Sequence, residues 1–324
     1  MDHAITRRHA LAALALPLAA LQAKAQAWPA RPIKIVVPFA AGSAVDIVSR
    51  AVFEQLSAQL GQAAVVENRT GAGGTIGTAF VAKTEPDGYT LLATSSAHAI
   101  APALNAGLSY DTLRDFAAVV PLGINPFVLV VAPEKGFKTA QEFVAAAIAR
   151  PGTFNFASVG GGSASHLSAE RFRLSAGLQA EHIPFKGGPE AMSEVMAGRV
   201  DFFFVALGAA LPQIRAGKLT ALAVNTARRS TALPSVPTLQ EAGFGRAEFP
   251  TWFGLFLPAR TPRVIVDRLQ RETAKALQEP KLRERLATLG VEPMVMTASE
   301  FDAYVEAELA LNAALVKTVG LKSK

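Results

Sequence analysis

The sequence of 324 residues contains no cysteine, only two tryptophans and three tyrosines, and five histidines. Without cysteine the chain forms no disulfide and has neither a thiol nucleophile nor a thiolate metal site. The histidines His3, His9, His98, His166 and His182 are scattered and form no His-Glu-x-x-His pattern. We therefore expect no metal site, and stability has to come from the packing of apolar side chains.

The sequence also lacks the phosphate-binding motifs of nucleotide enzymes. It has no Gly-x-x-x-x-Gly-Lys-Ser/Thr run. Gly71, Gly73 and Gly77 are spaced one residue too far apart for a dinucleotide fingerprint, and Ile76 stands where its third glycine belongs. We expect neither ATP, NAD nor any other cofactor.

Long apolar runs are absent apart from a short one near the N-terminus. The arginine pair Arg7-Arg8 precedes the apolar residues 10–21, which are too few to cross roughly 30 Å of hydrocarbon. Small-x-small cleavage sites then end at Ala25 and Ala27, so residues 1–27 are typical of an export signal peptide. The arginine pair also fits a twin-arginine signal, and both the Sec and the Tat routes stay open. We expect a soluble protein of the periplasm.

The net charge of +6 does not by itself indicate a nucleic-acid partner. In the densest basic region, residues 260–285, basic residues alternate with Asp267, Glu272, Glu279 and Glu284. This spacing is typical of the solvated face of a helix. No DNA- or RNA-binding motif accompanies it, and we expect no nucleic-acid partner.

Strands, glycine turns and helices alternate along the chain. The β-rich residues 33–39 end in a turn at Gly42, after which apolar residues recur with a helical period. Similar units surround residues 71–74 and 160–162. The alternation predicts an α/β protein with mainly parallel sheets.

The length is too great for one small core and fits two lobes. We place the crossings near Pro126 and Phe249, so that residues 28–126 and 250–324 form the first lobe and residues 127–249 the second. The helical C-terminal segment would then pack back on the first lobe.

Glycine turns that open helices expose unpaired N–H groups and the positive end of the helix dipole, and both favour anions. At the carboxyl ends of parallel strands, such turns lie where α/β folds bind ligands. Ser43 and Asp46 form a Ser-x-x-Asp capping pattern in the first turn. A cap is compatible with a ligand contact, since the neighbouring N–H groups stay available. Lys186 is the one cation in a predicted cleft loop, although a solvated surface lysine fits as well.

A serine hydrolase is the enzyme class to be considered. Ser163 would be the nucleophile, with His166 and Asp201 as its partners. The nucleophile elbow requires glycine where this chain has Ser165. His166 also lies only three residues beyond Ser163 on the same predicted helix. We therefore expect a protein that is not an enzyme.

A set of short segments spread over the chain carries a resemblance to a known family: residues 28–33, 36–46, 66–74, 86–91, 110–116, 158–167, 184–187, 198–201 and 236–238. Together these segments resemble the Bug family of periplasmic solute receptors, the binding components of tripartite tricarboxylate transporters. The resemblance covers essentially the whole chain after residue 27.

The resemblance implies a two-lobe type II periplasmic-binding-protein fold, with each lobe a mainly parallel sheet flanked by helices. It also implies hinge closure on a ligand carboxylate and delivery to transporter membrane subunits. We expect a monomer. Carried over to this sequence, the ligand-binding residues are Phe39, Gly42, Ser43, Asp46, Thr94, Ser95, Ser96, Ser158, Gly160, Gly162, Ser163, His166, Lys186 and Gly187.

The leading hypothesis is thus the capture of a small organic acid or an amino-acid-like carboxylate for transport. A sensory partner of a membrane kinase would need the same cleft, and the sequence does not separate the two. Two positions depart from the family pattern: Ser43 replaces a second glycine, and Ala101 stands where asparagine is common. Both lie in or beside the ligand loops, so the resemblance does not identify the carboxylate.

Overall fold

The computed structural model describes residues 28–321. The predicted export signal, residues 1–27, lies outside the described residues together with its cleavage sites. Within the described part, no helix combines the length and the apolar character needed to cross a membrane.

The first lobe is built on one of two five-stranded sheets. Its strands are β1 (Ile33–Val37), β2 (Ala64–Asn68), β3 (Thr90–Ser95), β4 (Phe116–Asn125) and β10 (Thr251–Pro258). Its helices are α1 (Ala44–Leu60), α2 (Thr75–Ala82), α3 (Ala97–Leu104), α8 (Arg263–Ala276), α9 (Pro280–Thr288) and α10 (Ala298–Thr318).

The second lobe is built on the other sheet. Its strands are β5 (Phe127–Val131), β6 (Phe154–Ser158), β7 (Ala180–Pro184), β8 (Phe202–Ala206) and β9 (Thr220–Val224). Its helices are α4 (Ala140–Ala149), α5 (Ala164–Ala176), α6 (Gly188–Met196) and α7 (Leu207–Arg215).

The two sheets have the same strand arrangement. The order is β2-β1-β3-β10-β4 in the first lobe and β7-β6-β8-β5-β9 in the second. In each sheet one strand, β10 or β5, runs antiparallel to both of its neighbours, and the other pairings are parallel. Each antiparallel strand is the one that enters from the other lobe. The predicted α/β fold with two sheets is confirmed; each sheet is mixed, with four strands running in one direction and β10 or β5 in the other.

Each lobe has an apolar core. In the first lobe the periodic residues Val45, Val48, Val52 and Leu56 are buried, and they turn one face of α1 onto the sheet. The core of the second lobe is rich in phenylalanine and includes a cluster of edge-to-face rings around Phe143. Such ring pairs stabilise a core beyond the burial of their area.

The two chain crossings between the lobes are fastened by one buried side chain. Asn225 follows β9 and is fully buried. Its Oδ1 accepts a hydrogen bond from the N–H of Phe127 at 2.9 Å, and its Nδ2 donates to the carbonyl of Phe249 at 2.6 Å. Phe127 begins the second lobe's first strand and Phe249 ends its last loop, so one amide ties both crossings together.

The lobes also contact each other at residues away from these crossings. At one place the backbones of Gly208 in α7 and Gly290 meet so closely that a Cβ on Gly208 would lie 2.3 Å from the carbonyl oxygen of Leu289. At another, a Cβ on Gly162 would lie 2.4 Å from Cδ1 of Leu104, the last residue of α3. These contacts set the orientation of one lobe against the other.

Candidate functional site

Two turns of the same construction lie at matching places in the two lobes. Gly42-Ser43 follows β1 and opens α1, and Gly162-Ser163 follows β6 and opens α5. Gly42 has φ 81° and Gly162 has φ 76°, a left-handed conformation that glycine adopts at little cost. The backbone angles are φ −67° and ψ 159° at Ser43, and φ −68° and ψ 162° at Ser163.

Each turn is closed by the residue four positions after its glycine. Ser43 Oγ accepts from the N–H of Asp46 at 3.4 Å, and Ser163 Oγ accepts from the N–H of His166 at 3.3 Å. In return, the N–H of Gly42 donates to Asp46 Oδ2 and the N–H of Gly162 donates to His166 Nδ1, both at 2.9 Å. The predicted cap at Ser43 is therefore present, an equivalent cap that was not predicted is formed by Ser163, and each glycine amide is held by a side chain of the following helix.

The first two N–H groups of each helix are unpaired, but only the first of the two belongs to a residue that is not buried. They belong to Ala44 and Val45 in α1 and to Ala164 and Ser165 in α5, and no hydrogen bond within residues 28–321 uses them. Unpaired amides at a helix N-terminus, reinforced by the helix dipole, bind anions. Both turns can therefore receive a negatively charged group.

Asp46 places a carboxylate at the first turn, but its charge is compensated. Arg50 Nε donates to both of its oxygens at 3.0 Å, and Asn68 Nδ2 donates to Oδ1 at 2.8 Å. Burial raises the pKa of Asp46, but hydrogen bonds from Arg50, Gly42 and Asn68 outweigh burial and hold the pKa below its usual value. The Asp46 side chain is thus committed to holding the turn.

A serine and histidine network supports the second turn. Ser158 is fully buried, and its Oγ lies 2.6 Å from His182 Nε2 and accepts from the N–H of Gly160 at 3.0 Å. Ser163 Oγ donates to the carbonyl of Gly160 at 2.7 Å and lies 3.0 Å from Ser165 Oγ. The side chain of Ser158 therefore helps to fix the backbone conformation of the turn through its hydrogen bond with Gly160.

The geometry around Ser163 is not that of a hydrolase triad. His166 Nδ1 is occupied by the amide of Gly162. Asp201 belongs to a separate network, in which its carboxylate accepts from the N–H of Asn155 at 2.8 Å and pairs with Lys135. The three residues considered for a triad do not form one.

The predicted residues at the end of β3 lie beside the start of α3. Thr94 and Ser96 are each 2% exposed, whereas Ser95 is half-buried and its Oγ accepts from the N–H of Ala97 at 3.4 Å. Nearby, the ring of Phe39 covers Gly74, where an added Cβ would lie 3.2 Å from the ring. Phe39 therefore provides an apolar wall next to the first turn.

The remaining predicted residues lie at the start of α6. Gly187 caps this helix, and the N–H of Lys186 donates to Glu190 Oε2 at 3.3 Å. Lys186 is exposed. Its ammonium group is therefore free to stay solvated or to approach an anion.

Neither a metal centre nor a large cavity coincides with these turns. Within residues 28–321, no three His, Asp or Glu side chains are arranged to hold a metal ion. A cavity of about 650 Å³ is lined mainly by α8, α9 and residues 291–296, with Thr231 contributed by the second lobe. Its walls are largely apolar and contain none of the predicted ligand residues.

Comparison with known proteins identifies the family. The sequence model of the family described as tripartite tricarboxylate transporter family receptor matches residues 48–321 of this chain. The chain belongs to this receptor family. BugT of Bordetella pertussis is 36% identical over 317 residues, which cover 97% of this chain and 96% of BugT. The resemblance to Bug receptors is confirmed.

Solved structures of similar receptors share the fold. The periplasmic binding protein BugD is 32% identical, with a TM-score of 0.76 over 92% of this chain and 100% of BugD. R. palustris Rpa4515 with adipate is 32% identical, with a TM-score of 0.78 over 90% of this chain and 98% of that one. MatC from Rhodopseudomonas palustris with bound malate is 31% identical, with a TM-score of 0.74 over 89% of this chain and 100% of MatC. These matches confirm the two-lobe periplasmic-binding fold.

Two residues of this receptor were not among those predicted to matter. Asn225 ties the crossings over sequence separations of 98 and 24 residues. His182 meets Ser158 because β7 pairs with β6 and sets His182 opposite Phe156. Both roles depend on non-local pairing, and the only local signal is a polar residue in or next to a strand.

Proposed function

We propose that this receptor captures a small carboxylate-bearing solute between its lobes and delivers it to the membrane subunits of a tripartite transporter. It acts in the periplasm as a monomeric binding protein rather than as an enzyme, after removal of the export signal. We place the lobe boundaries at residues 126–127 and 249–250, where the chain passes between the two sheets.

The observation that carries the proposal is the pair of matching turns with unpaired amides. A carboxylate can accept hydrogen bonds from two adjacent amides of one turn, and such charge-assisted bonds are stronger than neutral ones. A solute that contacts both turns stabilises the arrangement in which the lobes are closed around it, because it binds that arrangement better than an open one.

The charges around the turns support a carboxylate. Asp46 is neutralised by Arg50, so it does not repel an anion at full strength. Lys186 adds one exposed cation in the second lobe. The two similar structures that hold adipate and malate carry dicarboxylates, which are therefore the first solutes to test.

The predicted residues divide into two roles. Asp46, Ser158 and His166 use their polar atoms within their own lobe and hold the turns. The buried residues Thr94 and Ser96 support the loop after β3 from within the first lobe. The residues that we assign to the cleft surface are Phe39, Gly42, Ser43, Ser95, Gly160, Gly162, Ser163, Lys186 and Gly187.

The proposal is tested by thermal unfolding with adipate, malate and their neutral diamides. A ligand at 100 times its dissociation constant stabilises the folded protein by about 2.7 kcal/mol, which raises the melting temperature by several degrees. We expect shifts with a carboxylate and none with the matched diamide. The screen extends to mono- and tricarboxylates and amino acids. Equal shifts with diamides, or shifts with neutral sugars alone, would refute it, as would chemical conversion of a bound acid seen by NMR.

A further inference from the structure

The turn of the second lobe rests on two stacked imidazoles. The ring centroids of His166 and His182 are 3.8 Å apart and their planes are inclined by only 10°. The ring of Phe156 stacks with both, at 5.0 Å from His182 and 5.9 Å from His166. His166 is 3% exposed, so its ring is enclosed by the lobe rather than open to a ligand.

Each imidazole is connected to an amide of the turn. His166 Nδ1 accepts directly from the N–H of Gly162 at 2.9 Å. His182 Nε2 lies 2.6 Å from Ser158 Oγ, which accepts from the N–H of Gly160 at 3.0 Å. The conformation of residues 160–162 therefore depends on both rings.

The hydrogen bond to Gly162 requires an unprotonated Nδ1. Neutral His166 must carry its proton on Nε2, and a second proton would enter at Nδ1 and face the N–H of Gly162. The charged groups around the pair are Glu170, whose Oε1 is 3.8 Å from His166 Nε2, and Arg173, which donates to Glu170 at 2.7 Å. Because Arg173 already pairs with Glu170, little negative charge remains to stabilise an imidazolium.

The energetics of protonation agree with this geometry. Burial lowers the pKa of His166 to about 4, with a smaller contribution from Arg173. Burial and the neighbouring His166 lower the pKa of His182 to about 4. Both rings are therefore neutral at neutral pH.

The first lobe shows what the turn itself requires. There the same position is Asp46, whose Oδ2 accepts from the N–H of Gly42 at 2.9 Å. An acceptor is thus sufficient for the geometry, and an imidazole is not needed. What His166 adds is an acceptor without negative charge, next to the unpaired amides of Ala164 and Ser165.

We propose that His166, stacked on His182, is a positioning residue that holds the second-lobe turn open to a carboxylate by accepting from Gly162 as a neutral ring. The inference rests on the proposed function, because it explains how the second lobe receives an anion. His166 acts through the turn and does not contact the solute.

The test compares three variants of His166 in the full protein, with adipate and malate as probes. H166N supplies an uncharged acceptor, so its dissociation constant stays within about threefold of wild type at pH 7.5. H166A removes the acceptor, and the constant rises about tenfold. H166D keeps the acceptor but adds a negative charge beneath the turn, so binding of the acid weakens at least as much as in H166A.

The pH profile separates this role from a merely structural one. Wild type is expected to weaken relative to H166N as the pH falls toward 4, because only wild type carries an imidazole at this position. Between pH 6 and 8 the ratio of the two dissociation constants stays constant. Protonation of the solute affects both proteins equally and cancels in the ratio.

A ligand-free measurement keeps this proposal distinct from the proposed function. Hydrogen exchange of the Gly162 amide is slow in wild type, H166N and H166D and about tenfold faster in H166A. Imidazole NMR shows His166 Nδ1 unprotonated at pH 7. If neither acid binds, these two measurements alone decide. A protonated Nδ1 at pH 7 or equal exchange in wild type and H166A overturns the proposal, and so does H166A binding as tightly as wild type.

Discussion

Removing single backbone N–H groups from the two turns tests whether these groups bind the solute. Ala44 is the exposed first residue of α1, and proline is favoured at this place because the helix does not use its N–H. Ser43 has ψ 159°, which lies in the extended region that a residue before proline prefers. Ala44→Pro thus deletes one unpaired N–H and leaves the helix intact. Ala164→Pro makes the same change in the second lobe.

The size of the effect follows from the bond that is lost. An amide that donates to a carboxylate contributes about 1.5–3 kcal/mol, so each substitution raises the dissociation constant about 10- to 150-fold. The two positions lie in different lobes, and the free energies should add. The double variant A44P/A164P is then expected to bind at least about 100-fold more weakly than wild type.

The assay is isothermal titration with the strongest acid from the thermal screen. Ala44→Gly and Ala164→Gly retain the N–H and serve as matched controls, with affinities expected within about threefold of wild type. Denaturant unfolding checks that the proline variants remain folded. If both proline variants bind like wild type, the turn amides do not hold the solute. If only one is impaired, the solute does not bridge the lobes.

Three further predictions concern stability and are measured by denaturant unfolding. Asn225→Leu leaves the N–H of Phe127 and the carbonyl of Phe249 without partners and should cost about 2–5 kcal/mol. Asn225→Asp keeps the acceptor for Phe127 but buries a carboxylate beside the carbonyl of Phe249, so it should cost at least as much. No loss in either variant would mean that the tie is dispensable. Gly208→Ala places a Cβ 2.3 Å from the carbonyl oxygen of Leu289 and should destabilise the protein by about 1–3 kcal/mol. Gly245→Ala is the control, because its Cβ would have its nearest neighbour at 3.5 Å. Equal losses of stability in the two variants would refute the contact between the lobes at Gly208. Burial lowers the pKa of His98 to about 3, so the unfolded chain binds its proton first and stability falls with pH below about 6.5, by up to about 1.4 kcal/mol per pH unit. His98→Phe should flatten this slope between pH 6 and 4.5, and an unchanged slope would place the acid sensitivity elsewhere.

Local structure could be predicted where residues a few positions apart in the sequence determine it. The apolar period of Val45, Val48, Val52 and Leu56 predicted the buried face of α1. Thr139 and Thr297 cap α4 and α10 as their spacing to an acidic residue indicates. These features need only neighbours within a few residues.

The strands beyond the glycine units were harder to predict. β4 (Phe116–Asn125) contains Pro121 and Gly123, which disfavour a strand in isolation. It forms because β10 pairs with it through two register shifts, and that partner lies more than a hundred residues away. The antiparallel direction of β5 and β10 likewise depends on the passage of the chain between lobes.

The candidate site likewise combines features that follow from local spacing with features that depend on residues far apart in the sequence. The cap at Ser43 follows from its spacing to Asp46, and the structure contains it. The cap at Ser163 was not predicted, because the residue three positions later is His166 rather than an acidic residue. The likeness of the two turns, with Asp46 and His166 accepting from equivalent glycines, requires three-dimensional coordinates. So does the inward orientation of His166, because its partner His182 is placed by the pairing of β7 with β6.

A crystal structure with the strongest-binding acid tests the central claim most directly. The account predicts carboxylate oxygens within about 2.7–3.2 Å of the backbone nitrogens of Ala44 or Val45 and of Ala164 or Ser165. A solute bound instead in the apolar cavity beside residues 291–296, or one held without contact to either turn, would contradict it.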